Sequence, residues 1–152
     1  ADSIPSKPTP LIPCRMPAGS GFIHMTSQKR KFGDLGEKIA EGYLMQKGYT
    51  IVEKNYLKPW GEIDIIAKQS KVLIFCEVKT RDAKNVEHFL AEYSIDRSKI
   101  KKLQKICETY LGEKHYPYDQ KWQIDVLAIA VDKEKEKARI KHFENAVWEN
   151  RY

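Results

Sequence analysis

Residues 61–81, GEIDIIAKQSKVLIFCEVKTR, form two runs of alternating apolar and polar side chains that are separated by Gln69 and Ser70. An alternation with a period of two is typical of half-buried strands, and a polar pair between two such runs is typical of a turn. The stretch therefore predicts two strands, 61–68 and 71–81, joined as an antiparallel hairpin.

This hairpin concentrates acidic side chains on one of its faces. Strand periodicity separates the apolar side chains from a set that shares the other face, and this set includes Glu62, Asp64, Glu77 and Lys79. A turn centred between Gln69 and Ser70 sets Glu62 opposite Glu77, whereas a shift by one pair sets Asp64 opposite Glu77. In either register the Cβ atoms of Asp64 and Glu77 lie within about 5 to 8 Å of each other. By the same alternation Ile63, Ile65 and Ala67 share the opposite, apolar face.

Two interpretations of the acidic face are open. The ordinary one is a solvent-exposed ion pair between Glu77 and Lys79. The other is a divalent-metal site, because acidic side chains that face each other destabilise a sheet and a bound cation would relieve that repulsion. A metal beside a lysine also suits phosphodiester hydrolysis. Glu37, on the preceding helix, is a further candidate, although a surface glutamate in a first helical turn is equally consistent with its position.

The rest of the chain predicts an α/β fold with the element order α-β-β-β-α-β-β. A first helix has Asp34 as its cap and ends at Gly48, and a second helix spans 96–112 and ends at Gly112. The remaining predicted strands are 49–57, 122–132 and 138–147. The run 122–132 is apolar on both faces, which is typical of a central strand. We expect a mixed sheet, antiparallel through its first three strands and flanked by helices.

Composition limits the domain organisation and the class of partner. Five of the seven prolines lie in residues 1–28, which we expect to be an extended tail of upstream or artificial sequence, followed by a single domain at 29–152. The net charge of +6 is compatible with a polyanionic partner. The three cysteines lack a Cys-x-x-Cys spacing and no apolar run is long enough for a membrane span, so we expect a cytoplasmic protein without a membrane partner.

Three motifs resemble a known family when they are taken in order. GDLGEKIAEGYLMQKGYTIVEKNY (33–56), GEIDIIA (61–67) and FCEVKTR (75–81) are similar to the YraN family of small, largely uncharacterised bacterial proteins. That family is similar in turn to archaeal Holliday junction resolvases and to PD-(D/E)xK restriction-endonuclease-like nucleases. The resemblance spans about 32–147 and implies an αβββαβ core.

The resemblance also implies a catalytic site. Asp64 and Glu77 would be ligands of Mg²⁺ or Mn²⁺, Glu37 the acid of the first helix that joins them, and Lys79 the catalytic lysine. We therefore expect a divalent-metal-dependent nuclease that cleaves DNA, including branched or junction DNA. The alternative is a nucleic-acid-binding module on a nuclease fold with little or no catalysis. Junction-cutting relatives act as symmetric pairs, so a homodimer is a further expectation from the resemblance.

The surface that would contact nucleic acid is less strongly marked. Its candidate residues are Trp60, Arg81, Lys99, Lys101, Lys102 and Lys105. Trp60 could stack on an unpaired base or could be buried where it closes a hairpin. The lysines could neutralise phosphates or form an ordinary solvated helix face. Neither the choice between DNA and RNA nor a role for Asp125, in the apolar run 122–132, follows from these residues.

Overall fold

The computed structural model describes residues 12–13, 28–85 and 97–146. In chain order the elements are β1 (Ile12–Pro13), α1 (Gln28–Gln46), β2 (Thr50–Lys58), β3 (Gly61–Gln69), β4 (Val72–Asp82), a 3-10 turn (Ala83–Asn85), α2 (Arg97–Glu113), β5 (Trp122–Asp132) and β6 (Lys137–Phe143). Most of the proline-rich tail, including Cys14, and the end of the last predicted strand at Val147 lie outside the described residues. No helix within the described ranges is both long and apolar enough to cross a membrane.

The strands form one mixed sheet in the order β1-β6-β5-β4-β3-β2. Consecutive strands from β2 to β4 are antiparallel, β4 and β5 are parallel, and β5 and β6 are antiparallel. A parallel pair needs a crossover connection, and α2 lies in the connection between β4 and β5. The predicted α/β class and mixed sheet are therefore confirmed, and the architecture is consistent with a restriction-endonuclease-like core. The two-residue β1, which pairs with β6, was not predicted.

Each helix covers one face of the sheet. The cluster on the α1 side includes Ala40 and Leu44 of the helix with Ile65, Cys76 and Ile129 of the strands. On the α2 side, the strand residues Ile66, Phe75 and Ile124 pack against residues of α2, which include Ile100, Leu103, Ile106 and Tyr110. Residues 124–131 of β5 are all buried, which confirms that this strand is covered on both faces.

The first helix begins earlier than its predicted cap. It starts at Gln28, so Asp34 lies exposed inside the helix, and the prediction that Asp34 caps it is wrong. The apolar stripe continues backwards to Phe32, which packs against the α1-side cluster and extends the helix across Gly33. The other end is as predicted, because Gly48 adopts the left-handed conformation, with φ of +87°, that terminates helices. The second helix runs one residue past Gly112, its predicted end.

The hairpin between β3 and β4 differs from its prediction in two details. Gln69 pairs with Val72, so the turn lies at Ser70 and Lys71, one residue later than expected. Ile63 belongs to the α2-side cluster together with Ile66, although strict alternation placed it on the opposite face with Ile65. The alternation of β3 therefore breaks between Ile63 and Ile65, next to Asp64.

Helix α1 lies very close to β4 where Gly36 meets Thr80. A Cβ atom built on Gly36 would be 1.7 Å from Thr80 Oγ1 and 2.8 Å from Thr80 Cβ, so only glycine allows this approach. Gly42, on the same helix, has no atom within 4 Å of an added Cβ. The contact at Gly36 sets the height of α1 above the end of β4, and therefore the position of Glu37 relative to the sheet.

We predict that Gly36→Ala destabilises the protein by about 1 to 3 kcal/mol, because the added methyl group forces α1 away from Thr80. The matched control Gly42→Ala should instead stabilise it by about 0.5 to 1 kcal/mol through its higher helix propensity. Urea unfolding of both variants measures the two effects. Equal changes in the two free energies of unfolding would contradict the close approach at Gly36.

Candidate active site

Strands β3 and β4 stop pairing through their backbones next to Asp64. Their last pair towards this end is Ile65 with Cys76, and continuation of the same register sets Asp64 opposite Glu77. This is the second of the two registers considered from the sequence. Asp64 Oδ2 accepts a hydrogen bond from the backbone N–H of Val78 at 2.7 Å. The carboxylate of Asp64 thus lies between the two strands, where it replaces a backbone acceptor and is held beside Glu77.

Glu77 is buried and its two carboxylate oxygens have different surroundings. Its Oε1 lies 3.0 Å from Lys79 Nζ and 2.5 Å from Lys99 Nζ. Its Oε2 is buried and has no hydrogen-bond partner among the described residues. A buried acceptor without a partner loses its hydration and gains nothing in return. A positively charged group bound at Oε2 would therefore stabilise the site.

Asp64 carries an unusually high pKa. Burial raises the pKa of its carboxyl to about 7, the hydrogen bond from Val78 opposes this rise, and the charges of Glu37, Glu62 and Glu77 add to it. Three acidic neighbours around one buried carboxylate leave this end of the sheet with an excess of negative charge. A cation bound here would remove that cost.

Glu37 approaches the acidic cluster from α1. Burial raises the pKa of its carboxyl, and so do the charges of Asp34 and Glu62, while a hydrogen bond with Asn55 lowers it. Within the part of the chain that the structure describes, no three Asp, Glu, His or Cys side chains converge closely enough to hold a metal ion. The structure thus brings Asp64 and Glu77 together and leaves Glu37 nearby, without a point common to all three.

The prediction that the charged set of the hairpin shares one face is wrong. Glu77 and Lys79 lie on the α2 side, where Lys99 meets Glu77. Ile63 also packs on the α2 side, so its neighbour Glu62 projects to the opposite face. Asp64 lies between these groups in the plane of the sheet. The break in alternation beside Asp64 is the physical reason, since strict alternation would have kept its side chain on the α2 side.

Two carboxylates still fit a hard divalent cation. Mg²⁺ commonly binds through one or two protein carboxylates and keeps several waters, so a third protein ligand is not required. The unpartnered Oε2 of Glu77 and the raised pKa of Asp64 are both consistent with such a cation. The donor set therefore suits Mg²⁺ or Mn²⁺ at Asp64 and Glu77.

The residues predicted to contact nucleic acid differ in their positions. Lys101, Lys102 and Lys105 are exposed on α2, and Arg81 is exposed near the end of β4. Trp60 is 44% exposed, so the alternative that it is buried in the hairpin is wrong. The ammonium group of Lys105 lies 5.3 Å from the centre of the Trp60 ring. Lys99 differs from the other lysines because it contacts Glu77.

Sequence reasoning missed a second polar cluster around Asp125. Asp125 is completely buried, and its carboxylate accepts hydrogen bonds from Gln123 Nε2 at 2.8 Å and from the Asn145 backbone N–H at 2.9 Å. His142 Nε2 lies 2.7 Å from its second oxygen, and His142 Nδ1 lies 3.4 Å from the hydroxyl of Tyr43. These contacts connect α1, β5 and β6, so we assign the cluster a structural role. An aspartate in an otherwise apolar strand was the only signal for it.

We predict that Asp64→Asn stabilises the metal-free protein at pH 8 but not at pH 4. The folded-state pKa of about 7 exceeds the usual value of 3.8, so ionisation of Asp64 costs stability progressively as the pH rises from about 4 to 7. Asparagine keeps an acceptor for Val78 and has no charge, so its advantage should approach about 4 kcal/mol at pH 8, at about 1.4 kcal/mol for each pKa unit between 3.8 and about 7. Thermal unfolding of both proteins in EDTA, from pH 4 to pH 8, measures this difference in stability.

Asp119→Asn is the matched control, since Asp119 is exposed. This variant should follow the wild-type protein at every pH. A difference between Asp64→Asn and the wild type that does not change with pH would contradict the raised pKa of Asp64.

Comparison with known proteins identifies relatives across most of the chain. Residues 36–129 match the family described as "Uncharacterised protein family UPF0102". A UPF0102 protein of Thermodesulfovibrio yellowstonii is 41% identical over 118 residues, which are 76% of this chain and 95% of the relative. One from Dictyoglomus thermophilum is 38% identical over 104 residues, or 68% and 86% of the two chains. A UPF0102 protein of Roseiflexus castenholzii is 33% identical over 125 residues, which are 82% of this chain and 99% of the relative.

Among solved structures, the chain is similar to Pyrococcus furiosus SfsA in complex with Ca²⁺, at 15% identity and a TM-score of 0.33. The match covers 76% of this chain and 63% of SfsA, so the chain spans less than two thirds of that protein. A likeness at this level carries no argument about function. The sequence match is far stronger: this chain belongs to the uncharacterised protein family UPF0102, the YraN family that its motifs indicated.

Proposed function

We propose that this protein is a divalent-metal-dependent nuclease that hydrolyses phosphodiester bonds of DNA. The observation that carries the proposal is the buried, unpartnered Oε2 of Glu77, which lies on the strand next to Asp64 while Lys79 contacts the other oxygen. A buried acceptor beside a second carboxylate suits a divalent cation, and a cation with a neighbouring lysine suits attack on a phosphodiester. Branched or junction DNA is the substrate class that the resemblance to junction resolvases favours.

The proposed roles follow from the positions of the side chains. Asp64 and Glu77 would hold Mg²⁺ or Mn²⁺, and Glu37 would contribute a third negative charge from α1. When bound, the ion supplies stabilisation for negative charge on the phosphate and favours deprotonation of an attacking water. The hydrogen bond from Val78 keeps Asp64 oriented before any ligand arrives, so the protein does not have to reorganise this side chain during the reaction.

Lys79 would act on the substrate rather than on the cation. It lies two residues after Glu77 on β4 and on the same face, so its ammonium group remains beside the carboxylate at 3.0 Å. From this position it can stabilise negative charge that develops on the phosphate and can orient the attacking water. Its side chain is one-third exposed, so a bound phosphodiester can reach it.

A second candidate function is nucleic-acid binding with little or no catalysis. Two lysines already occupy Glu77 Oε1, and the described residues lack a convergent set of three metal ligands. The exposed lysines of α2 and the exposed Trp60 would then form the functional surface. This candidate predicts DNA binding that does not depend on divalent metal and survives substitution of Glu77.

We predict that the protein cleaves at least one DNA in a labelled panel of single strand, duplex, flap and four-way junction, with Mg²⁺ or Mn²⁺ and not with EDTA. Glu77→Gln should lower the cleavage rate by at least about a hundredfold, because it removes a negative charge at the proposed cation site. Glu134→Gln is the matched control, since Glu134 lies on an exposed turn and its side chain is 78% exposed. It should cleave like the wild type.

The two candidate functions give different results in this assay. Equal cleavage by the wild type and Glu77→Gln would indicate a contaminating nuclease and would contradict the proposal. DNA binding by both proteins without cleavage on any substrate would instead favour the binding module.

A further inference from the structure

We infer that Lys99 competes with the divalent cation for Glu77 and moves from Glu77 to the substrate phosphate when the cation binds. This inference rests on the proposed function and adds a regulatory step to the same site. It is carried by the position of Lys99, whose ammonium group lies 2.5 Å from Glu77 Oε1. Lys99 is the third residue of α2, so it reaches the site from a different element than Asp64, Glu77 and Lys79 do.

Two ammonium groups share one carboxylate oxygen of Glu77. Lys79 and Lys99 both contact its Oε1, while its Oε2 has no partner among the described residues. A divalent cation bound at Glu77 would add two positive charges within a few ångströms of both ammonium groups. In a mostly buried site such repulsion is weakly screened. This repulsion favours loss of one of the two lysine contacts with Glu77 when a cation binds.

Lys99 is the lysine that is free to leave. Lys79 follows Glu77 by two residues on the same strand, so the geometry of β4 keeps the two side chains together. Lys99 makes its contact across the gap between α2 and the sheet, and its side chain is 40% exposed. A rotation of its long, flexible chain moves its charge towards solvent without a change in the backbone.

Once displaced, Lys99 requires another anion. It lies in the first turn of α2, where the positive end of the helix dipole disfavours a cationic side chain, and no acidic residue occupies that turn. A phosphate of the substrate is an anion that the same helix end attracts. Lys99 thus blocks the cation in the resting protein and binds phosphate in the loaded one, which couples cation binding to substrate binding.

The test is calorimetric titration of the full chain with Mn²⁺ alone. Lys99→Met should bind Mn²⁺ roughly tenfold more tightly than the wild type, because a competitor is removed. Lys71→Met is the matched control, since Lys71 is exposed in the turn between β3 and β4, away from Glu77, and its affinity for Mn²⁺ should remain unchanged. Lys99→Gln provides a second variant with the same expected direction, and circular dichroism confirms that each variant is folded.

A second readout is DNA binding with Ca²⁺ or with EDTA. Lys99→Met should weaken binding several-fold in Ca²⁺ and leave it unchanged in EDTA, where Lys99 is held by Glu77. Equal or weaker Mn²⁺ affinity in both Lys99 variants would overturn the inference while the cation site of the proposed function stands. Failure of the wild type and of all variants to bind Mn²⁺ would overturn both.

Discussion

The hydrogen bond between Asp64 Oδ2 and the Val78 N–H, at 2.7 Å, is the interaction on which the candidate site depends. It occurs where β3 and β4 stop pairing, and it places a charged side chain where a sheet would normally have a backbone carbonyl. Burial and neighbouring acids raise the pKa of Asp64 to about 7. A fold does not gain stability from such an arrangement, and local rules of structure are commonly violated at functional positions.

The two helices that cover the sheet add further charged side chains around Asp64 and Glu77. Helix α1 packs closely enough at Gly36 and Thr80 to bring Glu37 near the acids of the sheet. Helix α2 delivers Lys99 to Glu77 from the opposite face. The Asp125 and His142 cluster connects α1 to β5 and β6, and so supports the same arrangement from within the core. The sheet therefore supplies Asp64, Glu77 and Lys79, and the helices add Glu37 and Lys99 to the site.

Much of the fold could be predicted from the sequence because its signals are local. The two strands of 61–81, the apolar run of β5 and the left-handed Gly48 depend only on neighbouring residues. The strand pairing, the burial of β5 and the φ angle of Gly48 confirmed these three predictions. The errors arose where tertiary contacts decide the outcome. Phe32 extends α1 because it packs against the core, and Ile63 changes face because β3 is irregular at Asp64. The contact of Lys99 with Glu77 joins residues 22 positions apart, which no periodicity reveals.

The central claim is that Asp64 and Glu77 form a divalent-cation site. A crystal soaked in Mn²⁺, with diffraction data collected at the manganese absorption edge, tests it most directly. If the two carboxylates hold a cation, an anomalous peak will lie at a ligand distance of about 2.0 to 2.6 Å from oxygens of both, with Lys99 displaced from Glu77. A fully occupied manganese elsewhere in the molecule, with Glu77 still held by both lysines, would contradict it.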